Sequence, residues 1–250
     1  MLSIPAIHQA VLRAAERISP APRGDYLDLG SGGGELIERL CRQFDGLRPF
    51  ACDYTDKLMR LEGQRVEIAD LNRDPLPYED NRFALVTCIE TIEHLERYRE
   101  TVREIHRVLR PGGWAIFSTP NILNLKSRLR FLTFGFPNLF GPLAVRESEI
   151  HDTGGHINPV GYFYLAHALL DAGFRADTLR VSVDRWQRSS MVPLLALWLP
   201  IKLAARLAYR REVEKFHTID EHNAPIVCAM NSLDLLLGRT LIVAAAKQPL

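Results

Sequence analysis

A glycine-rich turn between an apolar segment and an amphipathic one constrains the fold of this chain more than any other feature. The turn reads Asp28-Leu29-Gly30-Ser31-Gly32-Gly33-Gly34, and a helical pattern over residues 35–44 follows it directly. Glycine adopts backbone conformations that other residues avoid, so the pattern predicts a strand that turns sharply into a helix. Such a turn presents bare backbone and the positive end of a helix to a ligand. The sequence therefore predicts an α/β domain with a ligand site at this turn.

The spacing of the glycines disfavours a dinucleotide as that ligand. A dinucleotide-binding turn reads G-x-G-x-x-G or G-x-G-x-x-A, and its third small residue lets the helix pack closely on the strand. Gly30 and Gly32 fit this pattern, but Glu35 occupies the third position. A tight turn of this kind also occurs in α/β domains that bind no nucleotide. The turn by itself therefore leaves the ligand open.

Acidic residues end the next two predicted strands. Residues 49–53 form a short apolar segment that ends in Asp53, about 20 residues past the glycines, where a carboxylate can accept hydrogen bonds from both hydroxyls of a ribose. Residues 66–71 form a third strand that carries Asp70 near its end. Asp53 can equally be an ordinary cap of a following helix. The pattern favours a nucleoside ligand at the carboxyl ends of the strands.

Five motifs in a fixed order carry a resemblance to a known family. The series LDLGSGGG, LPYEDNRFALV, IEHL, RVLRPGG and STPN resembles the class I S-adenosylmethionine (SAM)-dependent methyltransferases, closely over residues 25–121 and more loosely over the rest. The resemblance implies an α/β, Rossmann-like class I methyltransferase fold. Its seven-stranded, mostly parallel sheet carries helices on both faces, a last strand inserted antiparallel between the fifth and the sixth, and a lid-like insertion.

The same resemblance implies SAM as the cofactor and a set of residues that hold it. Asp53 would bind the ribose, and Asp70 would receive the adenine amino group with Leu71 beside the ring. The full set implied for SAM is Asp28, Gly30, Ser31, Gly32, Gly34, Asp53, Tyr54, Asp70, Leu71, Cys88 and Ile89.

Length and charge agree with a single domain over residues 1–250. The core is expected at about residues 20–121, 160–185 and 238–248, with substrate or lid insertions at about 122–159 and 187–237. A net charge of +1 argues against a nucleic-acid partner, which usually requires a strongly basic surface. The amphipathic N-terminus does not look like a signal peptide. We therefore expect a cytoplasmic protein, either free or peripheral at the inner face of the membrane, whose oligomeric state the sequence leaves open.

Three histidines are candidates for a general base, which a hydroxyl acceptor needs because a protonated alcohol is a poor nucleophile. His151 and His156 flank a pair of glycines in a predicted loop over the active edge, and His94 follows the fourth strand. These imidazoles can instead form hydrogen bonds within their own loops.

A divalent metal is an alternative to a general base for activating the acceptor hydroxyl. Our leading expectation for the site includes no metal ligands. Glu90, Glu93 and His94 are spaced i, i+3 and i+4, on one face if the segment is helical. This E-x-x-E-H spacing resembles the segment through which ubiquinone-pathway O-methyltransferases are thought to hold a divalent ion. Glu93 and His94 can equally shape the pocket without a metal.

A late apolar segment suggests contact with a membrane surface. Residues 189–201 carry no charge but are too few, and too interrupted by proline, to span a bilayer. Lys202, Arg206 and Arg210 then form a basic stripe at i, i+4 and i+8. Such a helix can lie on an anionic membrane, or pack as a lid or a dimer contact. Residues 126, 128 and 130 form a Lys-Arg-Arg alternation that can hold phosphates or face solvent.

The pattern after the fifth strand, TPN-x-L-N-L-K-S-R-L-R-F-L and then G-H-I-N-P, resembles methyltransferases found with bacterial surface-polysaccharide enzymes. It implies O-methylation of a sugar or a lipid-linked sugar precursor. One alternative is a small-molecule O-methyltransferase acting on a quinone or phenol, with or without a metal. A SAM-binding protein without transfer activity is the other.

Overall fold

A single mixed sheet organises the protein. The computed structural model describes residues 5–143 and 155–249, and within these ranges seven strands follow the order β3-β2-β1-β4-β5-β7-β6. The strands are β1 Gly24–Leu29, β2 Leu47–Asp53, β3 Val66–Ile68, β4 Phe83–Ile89, β5 Leu109–Pro120, β6 Arg180–Val183 and β7 Thr240–Ala246. The helices are α1 Pro5–Glu16, α2 Glu35–Gln43, α3 Tyr98–Val108, α4 Leu125–Phe134, α5 Tyr162–Asp171, α6 Arg188–Arg211, α7 Ala224–Ala229 and α8 Leu233–Leu237.

Strand direction brings the ligand-binding ends together. The strands β1 to β5 pair in parallel, and β7 pairs antiparallel with both β5 and β6. The strand β6 therefore runs parallel to β5, and the carboxyl ends of β1 to β6 lie at one edge of the sheet. The predicted seven-stranded, mostly parallel sheet with an inserted last strand is confirmed.

The apolar sequence of the strands follows from their burial on both faces. Every residue of β4 is buried, as expected for a central parallel strand covered by helices on each side. One apolar cluster includes Val102 of α3 and Leu165 of α5 on one face of the sheet. The other includes Val11 of α1 and Leu40 of α2 on the opposite face. Helices on both faces are therefore confirmed, and α1 belongs to the core.

The sequence located the core elements within a few residues. The helix predicted at 35–44 is α2, one residue shorter at its end. The predicted third strand is cut to β3, because residues 69–74 turn back on themselves through Asp70, whose carbonyl accepts the Arg73 and Asp74 amides. Before β6, residues 176–178 form a 3-10 turn.

Helix α6 corrects the expectation that proline interrupts the late apolar segment. It runs without a break through Pro193 and Pro200. Each proline removes one hydrogen bond to the carbonyl four residues earlier. Those carbonyls belong to Ser189 and Ala196, which are exposed, so solvent can satisfy them. Within the described residues, Arg188–Phe216 is long and apolar enough, by length and composition, to cross a membrane.

Candidate cofactor and acceptor site

The glycine turn joins β1 to α2 in the predicted way. Gly30, Gly32 and Gly34 all adopt a positive φ, at 68°, 51° and 84°. A Cβ on Gly30 would overlap the side chain of Thr91, which follows β4. Glycine is therefore required at this position both for its backbone angle and for the close approach of the two strand ends.

Asp53 fixes the turn from the end of the neighbouring strand. Its Oδ2 accepts the Gly32 amide at 2.9 Å, and its Oδ1 accepts the Tyr54 amide at 2.7 Å. Burial raises the pKa of Asp53, and the hydrogen bonds from Gly32, Tyr54 and Thr55 oppose this shift. Residues 54–65 contain no helix, so the interpretation of Asp53 as a helix cap is wrong. Its carboxylate both orders the turn and keeps lone pairs for a ligand.

Asp28 lies deeper, as the second-last residue of β1. It is buried, and the Thr87 hydroxyl of β4 donates to its Oδ1. The Tyr26 hydroxyl lies 2.8 Å from the same Thr87 oxygen. Burial raises the pKa of Asp28 to about 7; Thr87 opposes the shift and the Asp53 charge adds to it. At neutral pH this carboxyl group is therefore about half protonated, and a cation close to it would favour its charged form.

A cavity of about 340 Å³ opens at this edge of the sheet. Its walls are formed by His8, Asp28, Gly30, Ser31, Gly32, Gly33, Glu35, Leu36, Asp53, Tyr54, Leu58, Ala69, Asp70, Leu71, Asn72, Ile89, Glu90, Thr91, His94 and Leu95. Nine of the eleven residues predicted for SAM are in this set. Gly34 and Cys88 lie outside it.

The two exceptions have simple geometric causes. Successive residues of a strand point to opposite sides, so Ile89 faces the cavity while Cys88 lies in the core, 1% exposed. Gly34 precedes the first residue of α2 and packs beside Met59. Gly34 serves the turn through its backbone angle, and the prediction that Cys88 contacts the cofactor finds no support in the cavity wall.

Part of the cavity wall comes from α1, which the sequence did not predict to line the site. The lining residues all come from positions 8–95, so no described residue of the two predicted lid insertions forms its wall. His8 of α1 lines it instead, and burial is the main cause that lowers the pKa of this imidazole. The sequence feature that could have indicated this role is a histidine at position 8 between the apolar Ile7 and Ala10 of an amphipathic helix.

Asp70 lines the cavity but also serves its own turn. Its Oδ1 accepts the Asn72 amide at 3.0 Å, and its Oδ2 pairs with Arg73 at 3.3 Å. Asn72 in turn accepts the Glu96 amide, which ties the segment after β3 to the start of α3. The predicted adenine side of the site is thus held rigid by contacts within the protein.

Two carboxyl groups follow β4. Glu90 lines the cavity, has a φ of 51°, and accepts a hydrogen bond from the Ser118 hydroxyl of β5 at 2.9 Å. Burial raises the pKa of Glu90 to about 7. A non-glycine residue in this backbone conformation is strained, and such strain is typical of functional sites.

Glu93 is fully buried in the 3-10 turn Ile92–His94. Within the described residues neither of its carboxylate oxygens has a hydrogen-bond partner. Burial, followed by the Glu90 charge, raises its pKa well above the usual value. The Thr119 hydroxyl opposes the shift without reaching hydrogen-bonding geometry. An unpaired buried carboxyl is costly, so this position calls for a proton or a cation.

Two of the three candidate histidines meet beside Glu93. The ring centroids of His94 and His156 are 5.1 Å apart. The Nδ1 of His94 lies 2.9 Å from the Gly155 carbonyl, and the Nδ1 of His156 lies 2.8 Å from the Leu139 carbonyl. A carbonyl can only accept, so each Nδ1 carries the proton and each Nε2 keeps its lone pair. His151 lies outside the described residues.

Burial keeps these imidazoles neutral. It lowers the pKa of His94 to about 4 and also lowers that of His156. The possible ligand atoms of Glu93, His94 and His156 all lie within 4.8 Å of one another. The predicted trio of Glu90, Glu93 and His94 does not form this cluster, and His156 takes the place of Glu90. The reason is that the segment forms a 3-10 turn, which does not align positions i, i+3 and i+4 on one face as an α-helix does.

The comparison with known proteins identifies the family of this chain. A family model described as a methyltransferase domain matches residues 5–179. The chain belongs to this family. The methyltransferase is 26% identical to the ubiquinone biosynthesis O-methyltransferase of Acinetobacter baylyi over 184 residues, which cover 62% of this chain and 76% of the relative. It is 30% identical to the demethylmenaquinone methyltransferase of Corynebacterium urealyticum over 161 residues, 63% of this chain and 64% of the relative.

The fold is shared more widely than the sequence. A SAM-dependent methyltransferase structure from Archaeoglobus fulgidus superposes with a TM-score of 0.59 at 16% identity, covering 96% of this chain and 93% of that one. This likeness shows the shared fold, and the family match shows that the chain is a methyltransferase, whose cofactor is SAM.

Proposed function

We propose that this methyltransferase transfers the methyl group of SAM to a phenol-type hydroxyl of a small-molecule acceptor. The observation that carries the proposal is the position of His94. It lines the cofactor cavity, and its Nε2 lone pair is left available by the hydrogen bond at Nδ1. A group in this position can take the proton of a hydroxyl as the oxygen attacks the methyl carbon.

The weak basicity of His94 selects among acceptors. An imidazole whose pKa is lowered to about 4 is a poor base for an aliphatic alcohol. A phenol, with a pKa of about 10, releases its proton several units more readily than a sugar hydroxyl does. The names of the two relatives above refer to ubiquinone and demethylmenaquinone, which supports a phenolic or quinone-type acceptor. The sugar acceptor suggested by the sequence stays a prediction.

Little else is required of the protein, because the sulfonium of SAM is already activated. In-line positioning of acceptor and methyl group lowers the barrier to transfer, and exclusion of water lowers this barrier further. In the proposed arrangement, Asp53 and the glycine turn hold the nucleoside and the methyl group points toward Glu90 and His94. The acceptor then enters from the side of His156 and Phe140, whose rings lie 5.2 Å apart.

An acceptor screen tests the proposal. Purified protein is incubated with SAM and separate pools of catechols and hydroquinones, nucleotide sugars, and lipid-linked sugars, and S-adenosylhomocysteine is measured by mass spectrometry. We expect product only with the phenolic pool. His94→Ala should lower kcat at least about 100-fold and leave SAM affinity unchanged. Product formed only with a sugar pool contradicts the acceptor class. SAM binding without product from any pool favours the non-catalytic alternative.

A divalent cation is a second candidate, favoured by the unpaired carboxyl of Glu93. One carboxylate oxygen of Glu93 and one ring nitrogen from each of His94 and His156 lie within 4.8 Å of one another, a chemically suitable set of ligands for a divalent ion. A bound divalent ion would lower the pKa of the acceptor hydroxyl and orient it.

Metal content and chelation separate the two candidates. If the cluster holds a metal, EDTA should abolish transfer, added divalent ion should restore it, and Glu93→Gln should lose metal measured by mass spectrometry. The matched control is Glu96→Gln, an exposed carboxyl three residues away. Full activity in EDTA, with no metal retained by the wild type, leaves His94 acting as a base.

A further inference from the structure

Helix α6 exposes an unusual amount of apolar surface. The side chain of Leu195 is 88% exposed, that of Val192 74% and that of Leu207 68%. Helix α4 packs against α6 and adds Leu132, which is 81% exposed. We define the apolar face as the following exposed residues of these two helices: Leu129, Phe131, Leu132, Phe134, Met191, Val192, Leu195, Trp198, Leu199, Leu203 and Leu207. So many exposed apolar side chains on two helices that pack together indicate an interaction site.

The charges of α6 are all of one sign. Residues 188–211 contain lysine and arginine but no aspartate or glutamate. Lys202, Arg206 and Arg210 are exposed and form no ion pair with the described residues. They follow Leu195, Leu199 and Leu203 by seven residues, which is close to two helical turns, and so share the same face. The apolar N-terminal half of this face passes into a basic C-terminal half.

The topology of the sheet limits how α6 can contact a bilayer. Helix α6 lies between β6 and β7, and these strands pair directly in the sheet, with Val183 opposite Leu241. A single crossing of the membrane by α6 would place two hydrogen-bonded strands on opposite sides of it. The uncharged residues 189–201 would also extend roughly 20 Å, short of the ~30 Å hydrocarbon core. The helix can therefore lie along a membrane but cannot span it in this fold.

We propose that the apolar face is a docking surface for a bilayer that contains anionic lipids. Its leucines and Trp198 enter the boundary between headgroups and acyl chains, and Lys202, Arg206 and Arg210 contact the lipid phosphates. The Lys202 ammonium lies 4.6 Å from the centre of the Trp198 ring, an arrangement that keeps its charge at the edge of the apolar surface. Helices α4 and α6 both leave the sheet at the edge that carries the cofactor cavity.

The arginines of α4 do not take part, which corrects one expectation from the sequence. Arg128 donates to Asn231 and to the carbonyls of Leu123 and Met230, and Arg130 donates to carbonyls of residues 136–140. Both guanidinium groups stabilise the fold of the insertion. The basic contribution to the docking surface comes from α6 and the exposed Lys126.

Vesicle flotation tests the proposal with the full chain. The probes are vesicles of phosphatidylcholine alone and of phosphatidylcholine with about 30% phosphatidylglycerol, an anionic lipid. We expect binding to the anionic vesicles and release at high salt. A basic residue near an anionic surface contributes about fivefold, so Arg206→Ala with Arg210→Ala should weaken partitioning about 25-fold.

Matched variants exclude a general effect of surface changes. Leu195→Glu with Leu199→Glu should abolish flotation, whereas Tyr164→Glu, a change at a residue 59% exposed on α5, should not. Circular dichroism and SAM binding confirm that each variant is folded. A wild type that stays with the soluble fraction overturns the proposal. So does a dimer in sedimentation that Leu195→Glu dissociates, since the face would then bind a second copy of the chain.

Discussion

Replacement of Asp53 by asparagine probes the connection between the glycine turn and the second strand. The carboxylate accepts two backbone amides, from Gly32 and from Tyr54. An asparagine side chain has the same shape but offers one oxygen acceptor, so one of these amides then faces an NH₂ group. The change therefore disturbs the turn without creating a cavity.

The expected magnitude follows from the hydrogen bonds. A bond to a charged group contributes about 1.5–3 kcal/mol, so the free energy of unfolding should fall by about 2 kcal/mol. For a domain of this size that corresponds to a Tm lower by roughly 4–8 °C. In the proposed complex the variant also loses an acceptor for a ribose hydroxyl. SAM should bind at least about tenfold more weakly.

Calorimetric titration with SAM and thermal unfolding measure the two effects separately. Asp25→Asn is the matched control, because Asp25 lies at the opposite end of β1 and pairs with Arg48 and Arg82. It should lower Tm modestly and leave SAM affinity unchanged. If Asp53→Asn bound SAM as tightly as the wild type, Asp53 would not hold the cofactor. Equal losses of affinity in both variants would show a general effect on folding.

Two further substitutions test the turn and the buried acid. Gly30→Ala should abolish SAM binding, because the added Cβ would overlap Thr91. Its control is Gly63→Ala, also at a positive φ but in open space, which should only lower Tm slightly. Similar behaviour of the two variants would refute the close approach of Gly30 and Thr91. Asp28, with a pKa of about 7 against about 3.9 unfolded, favours the folded state below pH 4, and this contribution of about 4 kcal/mol is lost as pH rises to 7. Asp28→Asn should therefore be more stable than the wild type at pH 8 and nearly equal at pH 4, measured by denaturant unfolding without SAM; a pH-independent difference would contradict the raised pKa.

The cofactor half of the site was predictable because its signals are local. A glycine turn after an apolar strand and an acid at the end of the next strand imply their positions through strand geometry alone. Asp53, Asp70 and Ile89 reach the cavity for this reason. Cys88, the neighbour of Ile89, lies outside the cavity wall, because successive side chains of a strand point to opposite faces.

The remaining features depend on contacts between distant parts of the chain. His8 lines the cavity because α1 packs on the sheet beside α2, and no local pattern encodes that packing. His156 joins Glu93 because the backbone amides of Ile157 and Asn158 donate to the Glu93 carbonyl, a pairing across more than 60 residues. Proline in α6 suggested a break, but helix continuity there depends on exposure of the freed carbonyls, which the sequence does not reveal.

A crystal structure with S-adenosylhomocysteine tests the proposed geometry of the site most directly. We predict the ribose hydroxyls within hydrogen-bonding distance of the Asp53 carboxylate, the adenine beside Leu71, and the sulfur directed toward Glu90 and His94. The Nε2 of His94 should then face the space in front of the sulfur. A ligand bound in the reverse orientation, or in another cavity, would contradict the assignment of Asp53 to the cofactor and of His94 to the acceptor.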